Sequence, residues 1–528
     1  MGRAVLLFRS PLPMKKLLCL LALGLVGALR AANLECSALF ADHMVLQREK
    51  PVAVWGWADA GETITVEFNG QKKKTKAAAD GKWILKLDAM SANATSQKFL
   101  VTGSNQASDK TKPRLLEFKD VLVGEVWLGS GQSNMERHVY QCLNFDAEKA
   151  AGSHPLIRHF GEGSKTSETP QSKATGKWNV CTTETVGDFS AAMYFMGREL
   201  QQNLNVPIGL ISSSVGGTGI TWWVSAEAQA TDPDVKANYD TNKKSYDAWF
   251  AKYDAEKSKE TYKAKLAAWQ IEADKAKLEG KAEPAKPKDS DTSKKRAGAP
   301  GGLFNGKIAP LVPYTLRGII WYQGEHDANA DKAPLYTKQL TALILDWRKL
   351  WGEELPFAWA QLPNYNMGAG EGWPLMRESM LKTLKVPKTG MVISIDIGES
   401  GDIHPKNKQD IGRRFALWAL GDVYGLKVAE TSGPLPAGYE IRRSKITLSF
   451  THADGLKARE GKLKGFTIAG ADKKFVPADA EIVNGKVVVS SSAVAAPVAA
   501  RYAWHENPEC NLINDDGLPA SPFRTDSQ

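Results

Sequence analysis

Between residues 120 and 421, short apolar runs alternate with stretches of helical periodicity, and no other feature of the chain narrows the fold as far. The runs are DVLVGEVWL (120–128), VPIGLIS (206–212), RGIIWYQ (317–323), FAWAQL (357–362) and MVISIDI (391–397). Each is nearly continuous in apolar residues, which is the pattern of a strand buried on both faces. Helical spacing fills the intervals: Phe189, Met193, Met196, Leu200 and Leu204 share one helical face, and Tyr336, Leu340, Leu343, Ile344 and Trp347 share another. Further helices are expected near 374–385 and over 406–421. Five strands separated by helices build a parallel sheet covered on both faces, so a three-layer α/β domain is expected over residues 119–430.

The flanks differ in texture. VAVWGWA, ETITVEFNG and KWILKL predict an N-terminal β domain over 33–118, and KITLSF, GFTIAG and KVVVSSS predict a C-terminal one over 431–528. Residues 232–302 interrupt the α/β series with Tyr246, Trp249, Phe250 and Tyr253, then Tyr262, Leu266 and Trp269, at helical spacing among lysines and glutamates. The following GKAEPAKPKDSDTSKKRAGAPGG loses all periodicity, so this insertion reads as amphipathic helices and a solvated loop. From Met14, the order of two lysines, an apolar run and small residues around Ala31 marks residues 1–32 as a signal peptide, and the protein as exported to the periplasm or beyond. Nothing after it is long and apolar enough to imply stable membrane insertion.

A net charge of +9 raises the question of nucleic acid, and its distribution answers it. Residues 1–32 carry +5 and residues 236–296 another +5, which leaves the remainder close to neutral. A neutral body with one lysine-rich excursion is not a nucleic-acid surface. Cys36, Cys142, Cys181 and Cys510 lack CxxC spacing; in an exported protein they allow up to two disulfides, in three pairings, or free buried thiols. The eight histidines include no HxH or HExxH ligand cluster, so no metal is expected.

In an open parallel sheet, ligands bind beyond the carboxyl ends of the strands. The exits here are SGQSNM with Ser133, SSSVGGTG (212–219), QGEHDA (323–328) and GESGDIHPKN (398–407). Singly, each has a structural explanation: a helix cap, a tight turn, a helix start. Together they bring a serine, a histidine beside a carboxylate and spare backbone donors to one rim, the set that acyl transfer to serine requires. Ser133 is the expected nucleophile, His404 the base and Asp402 the acid that orients it, with His326 beside Asp327 as a rival base. The N–H groups of Ser133 and Gly217 and the Gln323 amide are the expected oxyanion donors.

GQSNM, ISSSVGGTGITWW, LFNGKIAPL with RGIIWYQGE, and DIHPKNKQDIGRR together resemble the sialate O-acetylesterase family of the SGNH hydrolases. LFADHMVLQREKPVAVWGWADAGETITV and RYAWHENPECNLINDDGLPASPFRTD extend the resemblance to both ends of the mature chain. It implies a flavodoxin-like three-layer sheet and a cofactor-free serine hydrolase that removes O-acetyl groups from carbohydrate, particularly sialic acids. The catalytic pair then falls on Ser133 and His404, with Gly217 and Gln323 at the oxyanion positions. Two positions depart from the pattern: Gly401 stands where the acid is usual, three before the histidine, and His326 follows QGE in place of a small polar residue.

Arg137 reads either as a solvated helix residue or as the partner of a substrate carboxylate, and Trp222 and Trp321, with Trp223 and Tyr322 nearby, either as core packing or as stacking surfaces for a sugar. An acetylated xylan or other polysaccharide is the alternative substrate. A glycan-binding protein with an idle core is the alternative of a different class.

Overall fold

The structure, a computed structural model, describes residues 34–106, 113–287, 298–368 and 370–526. The expected signal peptide and the middle of the 281–302 loop lie outside the described residues. Among the described residues, seven strands form the main path of an 11-stranded sheet: β1 (Pro113–Gly131), β2 (His154–Glu162), β3 (Gly176–Cys181), β4 (Ile208–Ser214), β5 (Gly318–Tyr322), β6 (Phe357–Ala360) and β7 (Thr389–Val392). Their spatial order is β3-β2-β4-β1-β5-β6-β7, and every neighbouring pair is parallel except β3 with β2. The five expected strands thus stand in the order second, first, third, fourth, fifth, one of the two doubly wound orders, with its reversal between β1 and β5.

The sheet is buried on both sides, as the continuous apolar runs require. Trp127, Leu210, Ile320 and Tyr322 pack with the helices Ala191–Leu204 and Lys408–Trp418. Their chain neighbours Leu128, Ile211, Ile319 and Trp321 face the opposite way, against Tyr336–Trp351 and Gly372–Thr383. The molecule is therefore a mixed α/β protein.

Sequence and structure part at three places. The strands β2 and β3, at one end of the sheet order, are not foreseen, because HPLIRHFGE and GKWNVC mix charge and glycine into the segments that pair there. The run 391–397 leaves the sheet after Val392: Arg414 donates to the Ile393 carbonyl (2.6 Å) and clasps the Asp396 carboxylate, which Arg459 also holds. Finally, no break falls between residues 118 and 119. Strand β1 runs through that point for 19 residues, pairing first with Asn93–Gln106 and then with β4 and β5. Phe40, Trp55 and Phe99 share one core with Tyr314, Trp178 and Ile319. After residue 431 a separate core forms around Ile446, Leu448, Phe466, Val487 and Tyr502.

The insertion contains helices Pro233–Phe250, capped by the Asp232 carboxylate, and Ala255–Leu278. Among the described residues no helix is long and apolar enough to cross a membrane. All four described cysteines are unpaired, and burial pushes the Cys181 thiol up to about 12.

Candidate active site

The cleft lies where the doubly wound order predicts, at the carboxyl ends of β1 and β5. Strand β1 ends at Gly131, whose φ of +139° and contact with β5 both exclude a side chain: a Cβ there would stand 2.2 Å from the Tyr322 carbonyl oxygen. The Gln132 N–H then donates to that same carbonyl (3.0 Å), and Val215 N–H to the Gly131 carbonyl (3.1 Å). These bonds pin the turn, and the one-turn helix Ser133–Glu136 starts from it.

Ser133 Oγ lies 2.9 Å from His404 Nε2. Asp402 Oδ1 accepts the His404 backbone N–H at 2.9 Å and stands 3.4 Å from Nδ1, an ion-pair contact looser than a well-formed hydrogen bond. Burial, then the charge of Arg137, hold the His404 imidazole below its ordinary value against the pull of Asp402, which favours the neutral ring that can accept a proton. Burial opposes ionisation of Asp402, but the His404 N–H, the imidazole and Arg137 outweigh it and hold the carboxyl below the usual range. His326, the rival base, is exposed and packs edge-on against Trp222 (5.2 Å between centroids). The serine's hydrogen bond goes to His404.

Gly217, at φ +73°, lines the cleft with open space where a side chain would project. Its N–H and that of Ser133 have no protein partner among the described residues. The preceding Gly216 N–H donates to Glu136 Oε2 (2.6 Å), which ties the glycine loop to the serine's helix. Gln323 is placed otherwise than expected. It is fully buried behind the cleft, and its Nε2 donates to Asp327 (2.8 Å), Thr218 (3.1 Å) and Gln132 (3.2 Å).

Three residues that the sequence reading passed over hold the catalytic loops together. Asn134 Nδ2 donates to Glu325 and to the Ile403 carbonyl (3.0 Å), and its Oδ1 accepts from Lys408 Nζ (2.8 Å), which also holds the Pro405 carbonyl. The loops carrying Ser133, Glu325 and His404 thus meet on one amide. Lys408 is fully enclosed, and burial pushes its ammonium down to about 8. Burial likewise raises the Glu325 carboxyl. Each sits inside a block that carries the family resemblance, GQSNM, QGE or KNKQD, but a lysine in the first turn of a helix reads in sequence as solvated.

The cleft holds about 620 Å³ and is lined by Ser133, His404, Gly217, Arg137, Tyr140 and His326, among others. Arg137 lines it, and its guanidinium has no protein partner among the described residues. Trp321 is corrected: a five-residue strand buried on both faces gives it no exposure, and its indole N–H donates to Tyr336. Trp223 and Tyr322 are equally enclosed, whereas Trp222 is half-buried, bonded to the Gly298 carbonyl and braced against His326 rather than lining the cleft.

A serine hydroxyl on a histidine, beside N–H donors at a sheet's switch point, is the arrangement of an acyl-transfer enzyme, and the relatives narrow the class. The chain is a carboxylic ester hydrolase. Residues 123–283 and 305–420 match the model of the carbohydrate esterase, sialic acid-specific acetylesterase family, and the chain belongs to that family. It is 28% identical to rat sialate O-acetylesterase over 97% of this chain and 98% of the rat protein. The human sialate O-acetylesterase is 29% identical over 91% and 90%. A crystal structure of a carbohydrate acetylesterase from Xanthomonas citri superposes with a TM-score of 0.78 at 36% identity, covering 94% of this chain and all of that one.

Proposed function

We propose that this protein is an exported serine esterase that removes O-acetyl groups from sialic acids. Ser133 Oγ attacks the acetyl carbonyl while His404 Nε2 takes its proton, then returns it to the departing sugar oxygen; water repeats the sequence to free acetate. Asp402 steadies the imidazolium formed in each half. The observation that carries the catalytic reading is the 2.9 Å contact of Ser133 with an imidazole held neutral. Supporting the sialate is Arg137, a guanidinium with no protein partner in the same cleft, since a free carboxylate is what separates sialic acids from neutral acetylated sugars.

On this reading the α/β region up to residue 430 is a three-layer SGNH hydrolase carrying the 232–302 insertion, with an N-terminal β region that shares strand β1 with it and a C-terminal β domain over 431–528, after removal of the 1–32 signal. A neutral acetylated polysaccharide is the second reading, favoured by Tyr140, half exposed at the rim and stacked on His138 (5.4 Å), a flat surface suited to a sugar face. Acetate release from O-acetylated sialic acid and from acetylated xylan, by wild type and Ser133→Ala, separates them. Sialate preference lost in the variant supports the proposal; turnover of xylan alone replaces the substrate.

A further inference from the structure

The geometry behind the nucleophile reassigns one oxyanion donor. Gln323 has none to spare: its Nε2 carries two hydrogens and meets three acceptors, and because the Asp327 carboxylate and the Thr218 carbonyl can only accept, that end must be the nitrogen; the other end, Oε1, lies 2.8 Å from Tyr336 OH. Gln132 is the converse. Its Oε1 accepts from Gln323 Nε2 (3.2 Å) and from the His326 N–H (3.3 Å), and both partners are donors, so its other end must be the nitrogen. That nitrogen has no protein partner among the described residues. Gln132 immediately precedes Ser133 and lines the cleft together with Ser133 and Gly217, whereas Gln323 does not line it.

We infer that Gln132 Nε2, with the Ser133 and Gly217 N–H groups, receives the oxyanion, and that Gln323 is a positioning residue that holds Gln132 by its oxygen. The inference rests on the serine-esterase reading above. When Ser133 Oγ bonds to the acetyl carbon, its proton passes to His404 Nε2 and the carbonyl π pair moves onto oxygen. Three N–H donors then face that negative charge. As the pair returns, the bond from carbon to the sugar oxygen breaks and the His404 proton goes to that oxygen. A neutral amide suits the task because its acceptor end is already occupied, so only donors point at the developing charge.

Gln132→Glu tests this. The substitution keeps an oxygen for Gln323 and the His326 N–H but puts a second, anionic oxygen where the donor stood; Gln132→Met removes both ends and serves if the first variant does not fold. With p-nitrophenyl acetate, Gln132→Glu is expected to lower kcat about 10²–10³-fold with KM within about threefold of wild type. Binding of a trifluoromethyl ketone, whose serine adduct carries the same oxyanion, should weaken by a similar factor at unchanged melting temperature. A kcat within about threefold of wild type, with Ser133→Ala inactive, overturns the role of Gln132 and leaves the serine reading standing. So does a loss of activity that tracks a lower melting temperature and leaves ketone binding per folded molecule unchanged. Activity that survives in Ser133→Ala overturns the serine reading itself.

Discussion

At the scale of single residues, the proposed mechanism turns on a histidine whose surroundings favour its neutral form. Burial and Arg137 lower the His404 pKa and Asp402 raises it, so the acid limb of kcat/KM should lie below the ordinary histidine value of about 6.5. The signs of two variants follow. Arg137→Ala removes a depressing charge and should move that limb to higher pH; Asp402→Asn removes the raising one and should move it lower. The Asp402→Asn loss in kcat should stay well below the roughly 10⁴-fold found for a buried, tightly bonded triad acid, because Asp402 meets Nδ1 at 3.4 Å and is partly exposed. Ser133→Ala should cost about 10⁴-fold or more, read as acetate release. Arg137 carries a second expectation on substrate choice: Arg137→Ala should reduce turnover of an acetylated sialoside more than that of a neutral acetyl ester. Equal losses on both would remove its role toward the carboxylate.

At the scale of elements, precision comes from the Asn134 amide, where three loops meet. Lys408→Met would keep much of the buried volume but leave Asn134 Oδ1 and the Pro405 carbonyl without their donor. Its expected cost is about 1–3 kcal/mol per unsatisfied group, read by urea denaturation, together with a drop in kcat as the His404 loop loses its register with Ser133. Wild-type kcat in this variant would show that the loops are held elsewhere. None of this network was legible in the sequence. The exits themselves were, because the apolar runs end where glycine and polar residues begin; what their side chains do depends on partners more than 190 positions away, such as Asn134 with Glu325.

At the scale of the whole molecule, Arg377 ties the C-terminal stretch around residues 505–506 to the exit of strand β6. This fully buried guanidinium donates to the Leu362, Pro363, His505 and Glu506 carbonyls, so two segments far apart in sequence share one cation. Arg377→Ala strands four carbonyls at once and is expected to cost about 3–5 kcal/mol, seen as a lower melting temperature. Arg524, paired with both oxygens of Glu378 at 2.9 and 3.0 Å, reinforces the same joint from the last strand. The N-terminal strands join differently, by continuity of β1 and a shared aromatic core of Phe40, Trp55 and Tyr314.

What the sequence by itself determined is five of the sheet's strands, the helices between them and the polar loops at the strand exits, while the strands His154–Glu162 and Gly176–Cys181 escaped it. Hydrophobic periodicity is local, and local pattern dictates which faces are buried. Only the tertiary structure decided that Trp321 is core rather than rim, that Lys408 is enclosed, and that Gln323 lies behind the cleft while Gln132 lines it. An aromatic beside a strand end or an amide beside a serine has the same sequence signature in either place. Its role is chosen by which distant donors and acceptors the packed chain sets within about 3 Å of it, and that distance is absent from any single stretch of sequence.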